Sequence, residues 1–173
     1  YINSKGLKVV YSVKDYFYGS QYCNSTIKSV GDEVPEIIKT VNAYKNYPAL
    51  LGWYINDEVS AVSDGQRLAA HYNAVTGADY NHPTFEVDYR ISDIPLHDKY
   101  TDIYGTDIYP VSGSADDNIA QIGTTTKSAR KDFQNRPLWM CLQVFNKDNY
   151  DGYQGHRAPN LSEVRNMAWQ HIC

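Results

Sequence analysis

Residues 47–58 read Tyr47-Pro48-Ala49-Leu50-Leu51-Gly52-Trp53-Tyr54-Ile55-Asn56-Asp57-Glu58. From Ala49 to Ile55 the run is almost wholly apolar, with no wet face at either alternation, and this predicts a strand buried on both sides. It then leaves abruptly into two adjacent carboxylates. Strands buried on both faces belong to parallel sheets covered by helices, so this one stretch already points to an α/β fold.

Working outward, the same pattern recurs. Gly6–Val13, Pro83–Asp88, Thr101–Ile108 and Pro137–Phe145 carry the apolar, β-branched and aromatic residues of four further strands. Between them the spacing turns helical. Asp32 is the predicted N-cap of a first helix whose apolar face is Val34, Ile37, Ile38, Val41 and Tyr44. Asp64 is the predicted start of a second helix that Gly77 closes, and 91–100 reads as a loop or brief helix. A third helix is expected over Asp117–Phe133. The last begins at Asn160, with Glu163 completing a capping box and Leu161, Val164, Met167, Ala168 and Ile172 on its apolar side. Residues 1–173 show no linker and no low-complexity tract, and are expected to be one domain or part of one.

Composition narrows the partners. With 42% hydrophobic and 21% charged residues the chain fits a globular fold and not a disordered one. Its 16 basic and 20 acidic residues form no basic stripe, so neither nucleic acid nor an anionic membrane is an expected partner. The longest apolar stretch, Pro48–Ile55, falls short of the roughly 20 residues of a membrane span. Of the three cysteines, Cys141 is expected to be a free thiol in an apolar strand, while Cys23 and Cys173 are left to bridge each other or to pair elsewhere. Asn24-Ser25-Thr26 and Asn160-Leu161-Ser162 make Asn24 and Asn160 candidate glycosylation sites. Together with the odd cysteine count they point to a secreted, extracellular protein.

In parallel α/β folds the chemistry gathers where strands end. The predicted ends here hold Asp57 and Glu58, Asp88 and Tyr89, Asp107 and Tyr109, and Gln143 and Asn146. A carboxyl in a low-dielectric cleft beside a like charge has its pKa raised toward general-acid duty, which singles out Asp57-Glu58. Sixteen tyrosines and three tryptophans exceed what one core needs. Tyr16, Phe17, Tyr18 and Tyr22 cluster after the first strand; Tyr89, Tyr109, Phe145 and Tyr150 lie at or beyond other strand ends. Flat rings beside Asp, Asn and Gln suit carbohydrate, which offers apolar C–H faces and a rim of hydroxyls. No phosphate-cradling glycine motif and no GxSxG elbow occurs, and His71, His82, His97, His156 and His171 show no metal-binding spacing. No cofactor or metal is expected.

Three segments together, Pro48–Glu58, Asn81-His82-Pro83-Thr84 and Thr101–Pro110, resemble the TIM-barrel glycoside hydrolases of the large retaining β-glycosidase clan. The likeness is greatest to little-characterised secreted members with a strand of the PALLGWYINDE type. It covers nearly the whole chain, in register with strands three to seven of a (β/α)8 barrel. It implies a glycoside hydrolase cleaving a β-linked glycan, with Glu58 as general acid/base at the end of strand four. Asp107 and Tyr109 would end strand six, and Asp57, Asp88, Tyr89, Tyr109, Gln143 and Asn146 would bind substrate.

Two positions depart from the clan. Asp57 stands where an Asn contacts the sugar 2-hydroxyl, and Gln143 where a Glu serves as nucleophile. An amide cannot form the glycosyl-enzyme ester. Either Asp107 or Asp88 serves instead, or the enzyme inverts through a water, or the barrel is inactive and acts as a carbohydrate-binding or structural module. A complete barrel takes about 250 residues, so five strands imply that the rest belongs to a longer chain. The rival architecture, a five-stranded doubly wound sheet, wants a nucleotide loop after its first strand, and Lys14-Asp15-Tyr16-Phe17-Tyr18 is not one.

Overall fold

A computed structural model describes residues 1–115, 117–150 and 154–172. Four strands, β1 (Val9–Ser12), β2 (Leu50–Asp57), β3 (Thr84–Val87) and β4 (Ile103–Gly105), form one sheet. Every neighbouring pair is parallel, and the spatial order follows the sequence. That order decides between the two architectures. A doubly wound sheet reverses its strand order at a switch point, whereas a barrel adds each strand on the same side of the last. The chain follows the barrel pattern.

The expected fifth strand, Pro137–Phe145, does not form as one. Leu138 makes a single parallel bridge to Tyr104. Beyond it, the Trp139 N–H donates to the Tyr104 carbonyl at 2.9 Å and the Cys141 N–H to the Thr106 carbonyl at 2.8 Å. The segment therefore tracks the inner neighbour without a regular ladder, because β4 offers it only three residues and nothing among the described residues pairs with its other edge. It approaches so closely because Gly105 is bare: a Cβ there would strike the Trp139 carbonyl and lie 3.0 Å from the Phe85 ring.

Five helices lie between and after the strands: α1 (Val30–Tyr44), α2 (Ala61–Ala78), α3 (Ile94–His97), α4 (Gln121–Asp132) and α5 (Leu161–Ile172). Their starts correct three expectations. Ser29 precedes α1, and Asp32 reaches back from the first turn to the Lys28 N–H and the Ser29 hydroxyl, both at 3.0 Å. Ser60 caps α2 through the Val62 N–H, while Asp64 occupies a kink with φ −122°. Asp117 starts no helix, because its carboxylate takes the Ser112 N–H, the Ser112 hydroxyl and the Gly113 N–H, and α4 begins only at Gln121. The capping box of α5 forms as expected. Asn160 Oδ1 accepts from the Glu163 N–H at 3.0 Å, and Glu163 Oε2 accepts from the Asn160 N–H at 2.8 Å.

Trp53 and Ile55 of β2 pack on Ile37 and Val41 of α1 and Val75 of α2, all fully buried. Each such side chain contributes about 1.5–3 kcal/mol. The polar groups in this layer are partnered. Trp53 donates its indole N–H to Asp79 at 3.0 Å. Buried Glu33 of α1 pairs with Arg67 and His71 of α2 and accepts the Tyr18 N–H at 2.7 Å, while Arg67 donates to the Tyr18 carbonyl at 3.0 Å. The loop after β1 is thereby clamped onto two helices, which sets where Gln21 and Tyr22 project. No helix among the described residues is long and apolar enough to cross a membrane.

Candidate active site

β2 ends in Asp57, and Glu58 follows in a left-handed conformation with φ 57°, alone among the described non-glycine residues. Such a conformation costs a residue bearing a Cβ about 1–2 kcal/mol. Asp57 pairs with Lys14 at 3.0 Å, and Lys14 also holds Asp15 at 2.9 Å. Burial alone would lower the Lys14 ammonium, but the hydrogen bonds and charges of Asp15 and Asp57 outweigh it and raise its pKa. Tyr54, one turn of the pleat before Asp57, has its phenol pushed well up by burial and by the Asp57 charge.

Asp107 follows β4 and is 7% exposed. Its Oδ1 meets no donor among the described residues. Burial first, then hydrogen bonding to Glu58 and the charges of Glu58 and Asp57, push its pKa up to about 8. The Asp107–Glu58 pair therefore holds a proton at neutral pH, and that proton resides on the buried member. Both carboxyls line the same cleft.

Around these carboxyls lies a cleft of about 550 Å³. Tyr22 and Gln21 come from the loop after β1, and Tyr109, Phe145 and Tyr150 form a chain of rings with centroids 4.8 and 5.2 Å apart. Lys147 completes the lining. Burial and the Asp107 charge raise the Tyr109 phenol, so it stays a hydrogen-bond donor. A larger hollow of about 690 Å³ on α5 and an apolar one of about 440 Å³ beside β1 carry no carboxylate, so the chemistry is concentrated here.

Of the residues singled out in the sequence, the cleft brings together Asp57, Glu58, Asp107 and Tyr109. The other four lie elsewhere. Asp88 is fully buried against Arg90 at 2.6 Å and His97 at 3.4 Å. Tyr89 is half-exposed beneath the Arg90 guanidinium. Gln143, fully buried, brackets Val111, accepting from its N–H at 2.9 Å and donating to its carbonyl at 2.7 Å. It occupies a structural position, not one facing Glu58. Asn146 caps a short 3₁₀ turn through the Asp148 N–H.

Lys14, Gln21 and Lys147 were not singled out as site residues; no local pattern marks a lysine that answers a carboxylate 43 positions away. Asp88, Asp93 and His97 lie close enough to hold a divalent ion. The Arg90 guanidinium already lies on both aspartates, at 2.6 and 3.4 Å, and supplies the positive charge that an ion would bring. Asn24 is half-buried and its Oδ1 accepts from Thr26, while Asn160 is exposed and serves as the cap of α5. Cys141 is half-buried, and burial pushes its thiol up to about 11. Cys23 and Cys141 are free, and Cys173 lies outside the described residues.

No protein-family model and no curated protein matches this chain. Solved structures do. A β-D-glucuronidase of Dictyoglomus thermophilum superposes with a TM-score of 0.56 at 14% identity, over 86% of this chain and 28% of that one. A GH5_18 protein of Streptomyces cattleya, solved in complex with Manb1-4GlcNAc, gives 0.61 at 11% identity, over 79% and 44%. A Thermobacillus composti GH10 xylanase gives 0.55 at 15% identity, over 95% and 57%. The fold is that of part of a TIM barrel, similar to the barrels of these glycoside hydrolases. The chain spans about a quarter to three fifths of the length of these three structures.

Proposed function

We propose that the cleft binds a β-linked glycan and hydrolyses it, with Glu58 as general acid/base and Asp107 as the partner that keeps a proton on the pair. The observation that carries this reading is the buried Asp107 carboxyl, held protonated beside Glu58 in a cleft walled by Tyr22, Tyr109, Phe145 and Tyr150. The Asp107 carboxyl, with a pKa of about 8, is loaded at neutral pH and passes its proton to Glu58 as Glu58 protonates the glycosidic oxygen. Asp57, paired with Lys14, lines the cleft where the carbon that becomes cationic as the bond breaks would sit. Water adds at that carbon, and its proton returns to the depleted pair, so the cycle closes. The aromatic walls offer flat apolar faces to sugar rings, and Gln21 and Lys147 offer polar contacts at the rim.

A second reading has its own support. Gln143 supplies an amide where the clan's nucleophile would stand, and both ends of that amide are engaged by Val111. That geometry favours a barrel that binds glycan without cleaving it, as a carbohydrate-binding or structural module. Placement outside the cell, suggested by the sequons at Asn24 and Asn160, and membership of a longer barrel are part of both readings.

One experiment separates them. The protein and Glu58→Gln are offered a panel of aryl β-glycosides (glucuronide, mannoside, xyloside, glucoside), with calorimetric binding of the matching oligosaccharides in parallel. Hydrolysis by the wild type that falls at least about a hundredfold in Glu58→Gln supports the enzyme. Binding without turnover supports the module, and equal turnover by both proteins removes Glu58 from the chemistry.

A further inference from the structure

Glu58 holds a left-handed backbone that its side chain disfavours, so its surroundings must impose that conformation. The groups that do so can be named. Its N–H donates to the Val87 carbonyl at 2.9 Å, and its carbonyl accepts from Arg90 Nη2 at 2.5 Å. On either side, Asn56 Oδ1 accepts from the Val59 N–H at 3.1 Å, and Ser60 donates its hydroxyl to Asp93 at 3.0 Å. The turn 56–60 is thus tied down at four points.

Three of the four ties lead into one buried network. Arg90 is anchored by Asp88 at 2.6 Å and by Asp93 at 3.4 Å, and Asp88 Oδ1 also accepts the Arg90 N–H at 2.7 Å. His97 lies between Glu86 at 3.0 Å and Asp88 at 3.4 Å, and Glu86 accepts the Asn56 amide at 3.0 Å. Glu86, Asp88, Asp93 and His97 are all buried. Networks of this kind add little net stability for their desolvation cost. Here the charged groups converge on the turn that presents Glu58.

We propose that Arg90 is a positioning residue: its guanidinium, fixed on Asp88 and Asp93, holds the Glu58 carbonyl so that the Glu58 carboxyl stays against Asp107. The use made of the pair rests on the hydrolase reading; the positioning itself does not. A shared proton depends on the two carboxyls touching, so releasing the turn changes how Asp107 titrates even in a protein that stays folded.

The test is a carbon-13 NMR titration of the Asp107 carboxyl, assigned with Asp107→Asn, in the wild type, Arg90→Ala and Arg90→Lys. Circular dichroism reports folding in each. Lysine keeps a positive charge between Asp88 and Asp93, and with it the fold, but as a single point donor it lacks the fork that also reaches the carbonyl. The midpoint is expected near 8 in the wild type, and at least about one unit lower in both variants, a tenfold loss of proton affinity. A folded variant with an unchanged midpoint overturns the proposal and leaves Arg90 merely structural. So does a wild-type midpoint in the ordinary carboxylate range. Turnover on the glycoside panel is read separately: an Arg90-sensitive midpoint in a protein without turnover removes the hydrolase reading and leaves the positioning role standing.

Discussion

Asp107 and Glu58 line the same cleft with opposite exposure, Asp107 buried at 7% and Glu58 open to solvent. Burial first, then hydrogen bonding to Glu58 and the charges of Glu58 and Asp57, raise the Asp107 pKa from 3.8 to about 8. The native state therefore keeps a proton that the unfolded chain has lost. Stability from this group is complete below about pH 4 and declines as the pH rises to about 8.

Asp107→Asn removes that decline, because an amide N–H can donate to Glu58 at every pH. The variant is expected to be more stable than the wild type by up to about 5 kcal/mol at pH 8 and equal to it near pH 4. Hydrolysis should fall at least about a hundredfold. Urea denaturation at the two pH values, with turnover measured alongside, checks both halves. A variant less stable at pH 8 would show that Asp107 is not protonated there.

Glu58→Gly should stabilise the fold. Glycine ordinarily costs about 0.5–1 kcal/mol within an element, but at φ 57° it relieves a left-handed conformation that costs Glu about 1–2 kcal/mol. Because Glu58 is exposed, little packing is lost. A gain of about 1 kcal/mol is expected, against a loss for the β-branched Glu58→Val. Thermal denaturation of the three proteins decides the sign.

What the sequence made legible here follows the range of the interactions. β2 was readable because seven consecutive residues, Ala49 to Ile55, carry its burial pattern on their own. That Asp57, Glu58 and Asp107 gather in one cleft was readable because strand ends are local features of a parallel fold. Asn160 and Glu163 were readable because a capping box is complete within four residues. The cap of α1 was misplaced within a single turn: Ser29 and Asp32 both suit the job, and only the geometry shows Asp32 reaching back to Ser29. Lys14 answering Asp57, Arg90 reaching the Glu58 carbonyl, and Gln143 bracketing Val111 are contacts across 32 to 43 positions, and no periodicity records them.

His97 gives the protein a second alkaline weakness. Burial alone would lower its pKa, but hydrogen bonds and charges from Asp88 and Glu86 outweigh burial and raise it from 6.5 to about 9. The stability it contributes is complete below about pH 6.5 and is lost as the pH rises through 9. In the Asp107→Asn background, where the other slope is absent, the remaining loss between pH 6 and 10 is expected to be about 2 kcal/mol. His97→Gln should flatten it. An Asp107→Asn curve flat across this window would show that His97 is neutral in its pocket.

Glu33 works in the opposite direction. Burial would raise its carboxyl, but Arg67, the Tyr18 N–H and His71 outweigh it, so its pKa is lowered from 4.5. Its contribution is present above pH 4.5 and lost as the solution is acidified. Glu33→Ala leaves Arg67 without its buried partner and is expected to cost about 3–5 kcal/mol. It also frees the loop that carries Tyr22. Hydrogen exchange at the Tyr18 amide, which Glu33 accepts at 2.7 Å, should accelerate beyond the global destabilisation. Exchange that tracks only the global change would remove the clamp.

Gln143→Glu tests whether a carboxylate at the strand-seven position restores a missing nucleophile. The side chain is fully buried, with its oxygen on the Val111 N–H and its nitrogen on the Val111 carbonyl. A protonated glutamic acid can copy both bonds, but an ionised one has no proton for the Val111 carbonyl and repels it. The carboxyl is therefore forced to stay neutral, its pKa raised by burial and by the carbonyl. Stability should match the wild type near pH 4 and fall by about 2–4 kcal/mol by pH 8, as the unfolded chain ionises and the native state does not. No turnover should be gained, since the group faces Val111 and not Glu58. A variant that is stable at pH 8 and hydrolyses glycosides faster than the wild type would place Gln143 in the cleft after all.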